Sequence, residues 1–168
     1  MSTTRTQARQ LIAVMRRNDD ESMVLEMARL TADRSNGGRE SYLIACELVA
    51  ALSTMMITAA GPSDEEDRGY GLELTGDEND QLDIDETSPP IRATVRALLA
   101  ELNGHAEETR FQVGLALREN SFQATIEVLA HVILWTIGML EWCDANGVAR
   151  PRWLGDLAAA RRAGGDEQ

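Results

Sequence analysis

Apolar residues along this chain recur at spacings typical of α-helices. In the first stretch they follow one another at i, i+3, i+4 and i+7. The positions are Ala8, Leu11, Ile12 and Met15. This stripe predicts a first helix over residues 4–17. The acids Asp19, Asp20 and Glu21 then favour the start of a second helix, because carboxylates are stabilised at the positive end of the helix dipole.

Two longer apolar stretches predict the centre of the fold. Ser41 can cap a helix that continues to Ala60, because a serine hydroxyl accepts a hydrogen bond from the free backbone N–H groups of the first turn. Ser121 can cap another in the same way, and that helix continues to about Cys143. Both stretches carry apolar residues on every side, as expected of helices buried within a bundle.

Shorter helices are predicted around this pair. Pro89 and Pro90 suit the start of one, which ends at Asn103. Residues 106–119 are harder to assign, since apolar residues alternate there as in a strand. Good helix formers lie between them, and we predict a helix. A last short helix follows Pro151.

The fold class that follows is all-α: a bundle of six or seven helices with a central pair of long apolar helices. Residues 1–60 form an N-terminal helical block, and residues 91–168 form a C-terminal block that packs on it as one domain. Between them, residues 61–90 hold eleven of the 28 acidic residues and one base, Arg68, so this insert has a formal charge of −10. Its high charge predicts disorder. A small hairpin is the alternative, because apolar and polar residues alternate around residues 76–80.

The composition indicates how the core is filled and which cellular compartment suits the protein. Hydrophobic residues make up 43% of the chain but aromatic ones only 4%, so aliphatic side chains and seven methionines must fill an adaptable core. Cys46 and Cys143 are too far apart for a zinc site and too few for a disulfide framework, and they favour the reducing cytoplasm. All 16 basic residues are arginine, which indicates either a GC-rich genome or avoidance of lysine-directed modification.

Two sets of residues are candidates for contact with a partner. The first is the basic face of the first helix, formed by Arg5, Arg9, Arg16 and Arg17. The second is the set of tryptophans, which belong either to the core or to an interface: Trp135, Trp142 and Trp153. The arginines lack the interleaved aromatic residues of nucleic-acid readers, and the net charge of −12 opposes binding to DNA. We therefore expect no nucleic acid as a partner.

Three residues are candidates for a metal site. Glu47 and Glu127 lie in otherwise apolar helices, and a buried carboxylate must be paired, protonated or bound to a metal. His131 follows Glu127 by one helical turn, so the two side chains share a face and could bind one ion. The simpler interpretation is a local hydrogen bond between the glutamate and the histidine at the edge of the core.

The sequence favours a protein without catalytic activity. It shows no serine or cysteine triad, no phosphate-binding glycine loop and only two histidines. We predict a cytoplasmic protein without a cofactor that acts through protein–protein contacts, as an adaptor, a small regulator, or an assembly or secretion chaperone. Its partner is expected to be another protein or a second copy of the same chain.

Two alternatives stay open. One is a metal-dependent enzyme centred on Glu47, Glu127 and His131. The other is a small two-span membrane protein, because residues 43–60 and 122–140 are long and apolar enough to cross a bilayer. Polar residues inside both stretches, Glu47 and His131 among them, favour the helices of a soluble bundle, so no membrane is expected as a partner.

Overall fold

The structure of the protein, a computed structural model, describes residues 1–17, 20–32, 38–61, 69–75, 81–117 and 121–157. Six α-helices dominate this part of the chain. They are α1 (Thr3–Arg16), α2 (Asp20–Ala32), α3 (Arg39–Ala60), α4 (Pro89–Leu102), α5 (Ala106–Ala116) and α6 (Phe122–Asn146). The other elements are strands β1 (Leu74–Thr75) and β2 (Gln81–Leu82) and two 3-10 helices, Ile84–Glu86 and Arg152–Leu157. The predicted all-α bundle is confirmed.

Of the two predicted serine caps, Ser121 is confirmed and Ser41 is not. The Ser121 hydroxyl accepts a hydrogen bond of 3.1 Å from the Ala124 backbone N–H and caps α6. Pro89 is the first residue of α4, as predicted. The prediction that Ser41 caps α3 is wrong, because the helix already begins at Arg39 and Ser41 is a buried residue of its first turn.

Glycines end both long helices. Gly61 follows α3 with a φ of +73°, and Gly147 follows α6 with a φ of +64°. These angles lie in the left-handed region, where a residue without a Cβ atom meets no steric penalty. α6 passes the predicted end at Cys143 and stops at Asn146.

The segment whose apolar residues alternate is a helix, as predicted. α5 buries Val113 and Ala116, whereas Phe111 and Leu115 are 59% and 37% exposed. The two exposed residues are one helical turn apart and share the outer face. The alternation therefore arises from a helix that carries apolar residues on two faces.

One hydrophobic core joins the helices on both sides of the insert. α3 lies at its centre and packs against α1, α4 and α6, and α6 also contacts α1, α2 and α4. The predicted central pair, α3 and α6, thus packs together. The largest fully buried side chains come from both ends of the chain: Leu11, Ile12, Leu30, Ile44, Leu48, Met55, Leu129, Ile133, Leu140 and Leu154. α4 and α5 form a close pair and contribute Leu98, Leu102 and Val113 to the same core.

The described part of the acidic insert contains a small hairpin. β1 and β2 pair antiparallel, with Leu74 opposite Leu82. The predicted disorder is therefore wrong for residues 69–75 and 81–88, where the alternative prediction of a hairpin holds. The rest of the insert lies outside the described residues.

The turn after α4 holds the chain before the hairpin on the bundle. The Asn103 side chain accepts a hydrogen bond from the Tyr70 backbone N–H (2.8 Å) and donates one to the Tyr70 carbonyl oxygen (3.1 Å). The backbone passes close to this side chain, since a Cβ atom at Gly69 would lie 2.7 Å from Asn103 Oδ1. Tyr70 and Leu72 also pack on the core. These contacts stabilise a two-stranded hairpin that would be marginal by itself.

The predicted last helix is present as the C-terminal 3-10 helix, Arg152–Leu157, which packs on α1. Leu154 anchors it in the core with no exposed surface. Arginine side chains donate hydrogen bonds to three of its carbonyl groups: Arg9 to Trp153 (2.5 Å), Arg16 to Leu157 (2.5 Å) and Arg150 to Gly155 (3.2 Å). Residues 158–168 lie outside the described part of the chain.

Candidate interaction surface

α6 buries one side and exposes apolar residues on the opposite side. The buried side includes Val132, Ile133, Thr136 and Leu140. Opposite them, Leu134 is 53% exposed and Trp142 is 44% exposed, and the exposed Gly138 lies between them. These three residues follow one another at i, i+4 and therefore form one continuous line, the α6 ridge (Leu134, Gly138 and Trp142).

An apolar groove lies on one side of the α6 ridge. It is open to solvent, has a volume of about 500 Å³ and is bounded by α3, α4, α6 and the chain leading into β1. Its walls are formed by Leu52, Met56, Leu72, Leu74, Val95, Leu98, Trp135 and Met139, with the ridge residues at its rim. The exposed Glu73, which directly precedes β1, also lines the groove. Because methionine side chains are flexible and polarisable, this groove can adapt to an apolar ligand surface.

A smaller hollow lies on the other side of the α6 ridge. It has a volume of about 370 Å³ between α1, α6 and the C-terminal 3-10 helix. Its lining includes Ala13, Met15, Arg16, Arg17, Ile137, Glu141 and Leu157. Leu134 lines both the groove and the hollow, so it forms the wall between them. The exposed Arg17 adds a positive charge on this side, whereas Glu73 adds a negative charge on the groove side.

The three tryptophans have different surroundings. Trp135 and Trp142 both line the groove. Trp153 belongs to the C-terminal 3-10 helix, where the Arg5 guanidinium carbon lies 5.7 Å from the centroid of its ring, a cation–π contact. The structure thus brings two of the three predicted residues to one surface and gives Trp153 a packing role.

The predicted basic face of α1 is mostly engaged within the chain. Arg5 binds Glu47, while Arg9 and Arg16 hold the C-terminal 3-10 helix as described above. Arg17 is exposed beside the hollow. Of the four arginines, Arg17 therefore has the position best suited to contact a partner.

Glu47 is partly exposed and has a cationic partner. Its Oε2 accepts a hydrogen bond of 2.9 Å from Arg5 Nε, and the two side chains are 30% and 43% exposed, respectively. A polar hollow of about 380 Å³ beside this pair is also lined by Tyr42, Cys46 and Arg110. Of the three alternatives for a carboxylate in an apolar helix, the structure shows the paired one for Glu47, whose charge is compensated by Arg5 and by solvent.

Glu127 and His131 interact, but not through both side chains. The Ser88 hydroxyl donates a hydrogen bond of 2.5 Å to Glu127 Oε1. His131 Nδ1 lies 2.8 Å from the Glu127 backbone carbonyl oxygen, and the His131 ring meets the Trp135 ring edge to face at 5.9 Å between centroids. In the part of the chain that the structure describes, no group of three or more His, Cys, Asp or Glu is placed to hold a metal ion. Glu47, Glu127 and His131 are thus not brought together as a metal site.

Both cysteines favour the protonated thiol. Burial raises the pKa of Cys46, although a hydrogen bond from Tyr42 and the nearby charge of Arg110 act in the opposite direction. Burial also raises the pKa of Cys143. Because the thiolate is the reactive form of cysteine, a raised pKa lowers reactivity at neutral pH. The surroundings of these thiols therefore do not activate them as nucleophiles.

The length and composition of α3 and α6 would allow either helix to cross a membrane. Their mean hydropathies over 18 residues reach 1.9 and 1.5, and 44% and 39% of those windows are buried inside the protein. Core helices of soluble proteins have similar composition, so this feature gives only weak support to the two-span alternative.

Sequence reasoning missed the groove itself. Its walls come from three helices and the hairpin, which are far apart in the chain. The methionine content indicated an adaptable core, not a groove. Ile133 and Leu134 are both apolar, although Ile133 is fully buried and Leu134 faces solvent.

The chain matches no family model, no curated protein and no solved structure. Its functional interpretation therefore depends on the geometry of the described residues. In that geometry the α6 ridge and the two depressions beside it form an apolar surface with opposite charges at its two edges.

Proposed function

We propose that this protein acts through protein–protein contacts, as an adaptor, a small regulator or a chaperone of the cytoplasm. The α6 ridge, with the groove and the hollow beside it, is the proposed binding surface. The observation that carries the proposal is the exposure of Leu134 and Trp142 on a helix whose opposite side is fully buried. Contiguous exposed apolar surface is typical of interaction sites, because water is displaced from it when a partner binds.

The composition of the surface also supports this function. Tryptophan and methionine are enriched at protein interfaces, and a tryptophan at the centre of an interface often contributes a large share of the binding free energy. Trp135 and Trp142 lie beside Met56 and Met139 along the groove. An apolar helix face of a partner is the kind of ligand that such a groove accommodates.

The experiment compares the proteins that two variants capture from a lysate of the source cells. In each variant, one exposed apolar residue is replaced by Asp. Leu134→Asp places a carboxylate on the ridge, and we expect it to lose the stoichiometric partner that the wild-type protein retains. Phe111→Asp is the matched control, because Phe111 is 59% exposed but lies on α5, outside the lining of the groove and the hollow. Circular dichroism should show the same helical content in all three proteins. If Leu134→Asp and the wild type capture the same proteins and also self-associate equally, the proposed function is wrong.

A further inference from the structure

We propose that the partner of the α6 ridge is a second copy of this chain. Two copies form a homodimer in which the α6 ridges face each other. The twofold axis runs roughly along α6, so the two α6 helices point in the same direction and cross at Gly138. The inference rests on the proposed function, since it names the partner for the same surface. It depends on Gly138, on the shape of the surface and on the position of its charges.

The surroundings of Gly138 leave room for another backbone. Among the described residues, no heavy atom lies within 4 Å of a Cβ atom placed at this position, and the residue is exposed in the middle of α6. Gly114 of α5 is equally open but lies outside the lining of the groove and the hollow, whereas Gly138 lies at the centre of the α6 ridge. Another backbone can approach closely at Gly138, because glycine has no side chain to hold it away.

The shape of the surface fits a copy of itself. Leu134 and Trp142 project one turn before and one turn after Gly138, and depressions of about 500 and 370 Å³ flank this line. When two ridges cross at Gly138, the large side chains of each copy lie over the depressions of the other. In a twofold dimer both copies use the same patch, so the surface must be complementary to itself.

The charges determine the direction of the twofold axis. Glu73 lies on the groove side of α6. The hollow is lined by Arg16, Arg17 and Glu141, so its charged lining residues sum to one positive charge. A twofold axis along α6 brings the groove side of each copy against the hollow side of the other copy. Glu73 of each copy then faces Arg17 of the other, which gives two equivalent pairs. An axis across α6 would place Glu73 opposite Glu73, where like charges repel each other. The parallel arrangement is therefore the favourable one.

The length of α6 allows an interface of standard size. α6 has 25 residues. At 1.5 Å per residue its length is about 37 Å. A strip roughly 20 Å wide along it, which includes the ridge and both depressions, amounts to the roughly 800 Å² per partner that specific interfaces bury.

The first test measures self-association by sedimentation equilibrium over a range of concentrations. We expect the wild-type protein to be a dimer that dissociates on dilution, and Gly138→Gln to raise the dissociation constant at least tenfold. The new side chain enters open space in the monomer, so the helical signal should be unchanged. Gly114→Gln is the matched control, because a Cβ atom at Gly114 of α5 also meets nothing within 4 Å. An equal effect of both variants contradicts the proposed interface.

The second test exchanges the two charges. Glu73→Arg and Arg17→Glu should each weaken the homodimer, because like charges then meet twice. A mixture of the two variants should form the heterodimer with wild-type affinity, since each Arg again faces a Glu. Failure of the mixture to associate overturns the parallel arrangement.

Other partners for the ridge give different results. A monomeric wild type whose captured partner is lost in Leu134→Asp overturns the dimer but supports the proposed function. A monomer that binds phosphatidylcholine vesicles, and stops binding them with Leu134→Asp, assigns the ridge to lipid and overturns the dimer. If Leu134→Asp changes neither self-association nor capture, both proposals are wrong.

Discussion

At the residue scale, similar local sequences give side chains different roles. Ser41 and Ser121 both precede long apolar runs, yet only Ser121 caps its helix. α3 starts two residues before Ser41, after Gly38, whose φ of +73° lies in the left-handed region. Glu47 and Glu127 differ in the same way, since the first binds Arg5 and the second accepts a hydrogen bond from a serine.

Replacement of Ser121 by Ala should lower the free energy of unfolding by about 1 kcal/mol, because the Ala124 N–H loses its acceptor at the start of α6. Urea unfolding followed by circular dichroism measures this change. Thr54→Ala is the control: Thr54 is exposed within α3 and bonds only to the carbonyl of its own helix, so a change within about 0.5 kcal/mol is expected. Equal losses in both variants would exclude a capping effect.

The raised pKa of Cys46 predicts slow alkylation. At pH values near neutrality the folded protein should react with iodoacetamide more slowly than a free cysteine, because less thiolate is present. The rate should increase as the pH rises above about 8.5, the usual pKa of a free thiol. The Cys143→Ser variant isolates Cys46 for this measurement. Rapid reaction at neutral pH would show that the thiol is activated instead.

At the element scale, the short elements depend on side chains from the long helices. The hairpin is held through Asn103 at the end of α4, and the C-terminal 3-10 helix is held through Arg9 and Arg16 of α1. Neither element has enough internal hydrogen bonds to be stable alone. Both elements are therefore stabilised by their contacts with the helices of the bundle.

Asn103→Ala should release the hairpin without unfolding the bundle. The variant loses the paired hydrogen bonds to the Tyr70 backbone, so brief proteolysis should cut within residues 69–75 faster than in the wild type. Asn146→Ala is the control, because Asn146 bonds to the Trp142 carbonyl at the far end of α6. Unchanged cleavage of residues 69–75 in Asn103→Ala would mean that core packing of Leu72 and its neighbours suffices.

At the scale of the whole molecule, the two helical blocks share one core. α3 belongs to the first block and packs on α4 and α6 of the second. Met55 of α3 and Leu129 of α6 are both fully buried. The acidic charge, in contrast, is concentrated in the insert, so the blocks can pack without strong mutual repulsion.

Residues 1–60 alone should therefore not fold cooperatively. The isolated fragment would expose the side of α3 that packs on α4 and α6, and a chain of this length buries too little surface to compensate. A broad thermal transition in circular dichroism is expected, and addition of the fragment 69–168 should restore a sharp one. A cooperative transition of residues 1–60 alone would show two independent domains.

The sequence by itself determined the helical elements and the central pair. The 3.6-residue periodicity, the Ser121 cap and the prolines before α4 are local signals, and local backbone preferences respond to them directly. The alternation of apolar residues in the insert likewise indicated the hairpin, although its charge favoured disorder. Glu47 and Glu127 have apolar neighbours along their helices, and this pattern suggested that both are buried. In the structure both residues are only partly buried.

Only the tertiary structure decided which apolar side chains of α6 face solvent. The outer face of this helix carries Leu134 and Trp142 among polar residues such as Glu141, so an apolar residue in this sequence can be buried, as Ile133 is, or exposed, as Leu134 is. The groove forms from α3, α4, α6 and the chain before β1, and the partners of Arg5, Arg9 and Arg16 are also distant in the chain. Contacts between distant segments depend on how helices pack in three dimensions, and a local pattern of residues carries no information about that packing.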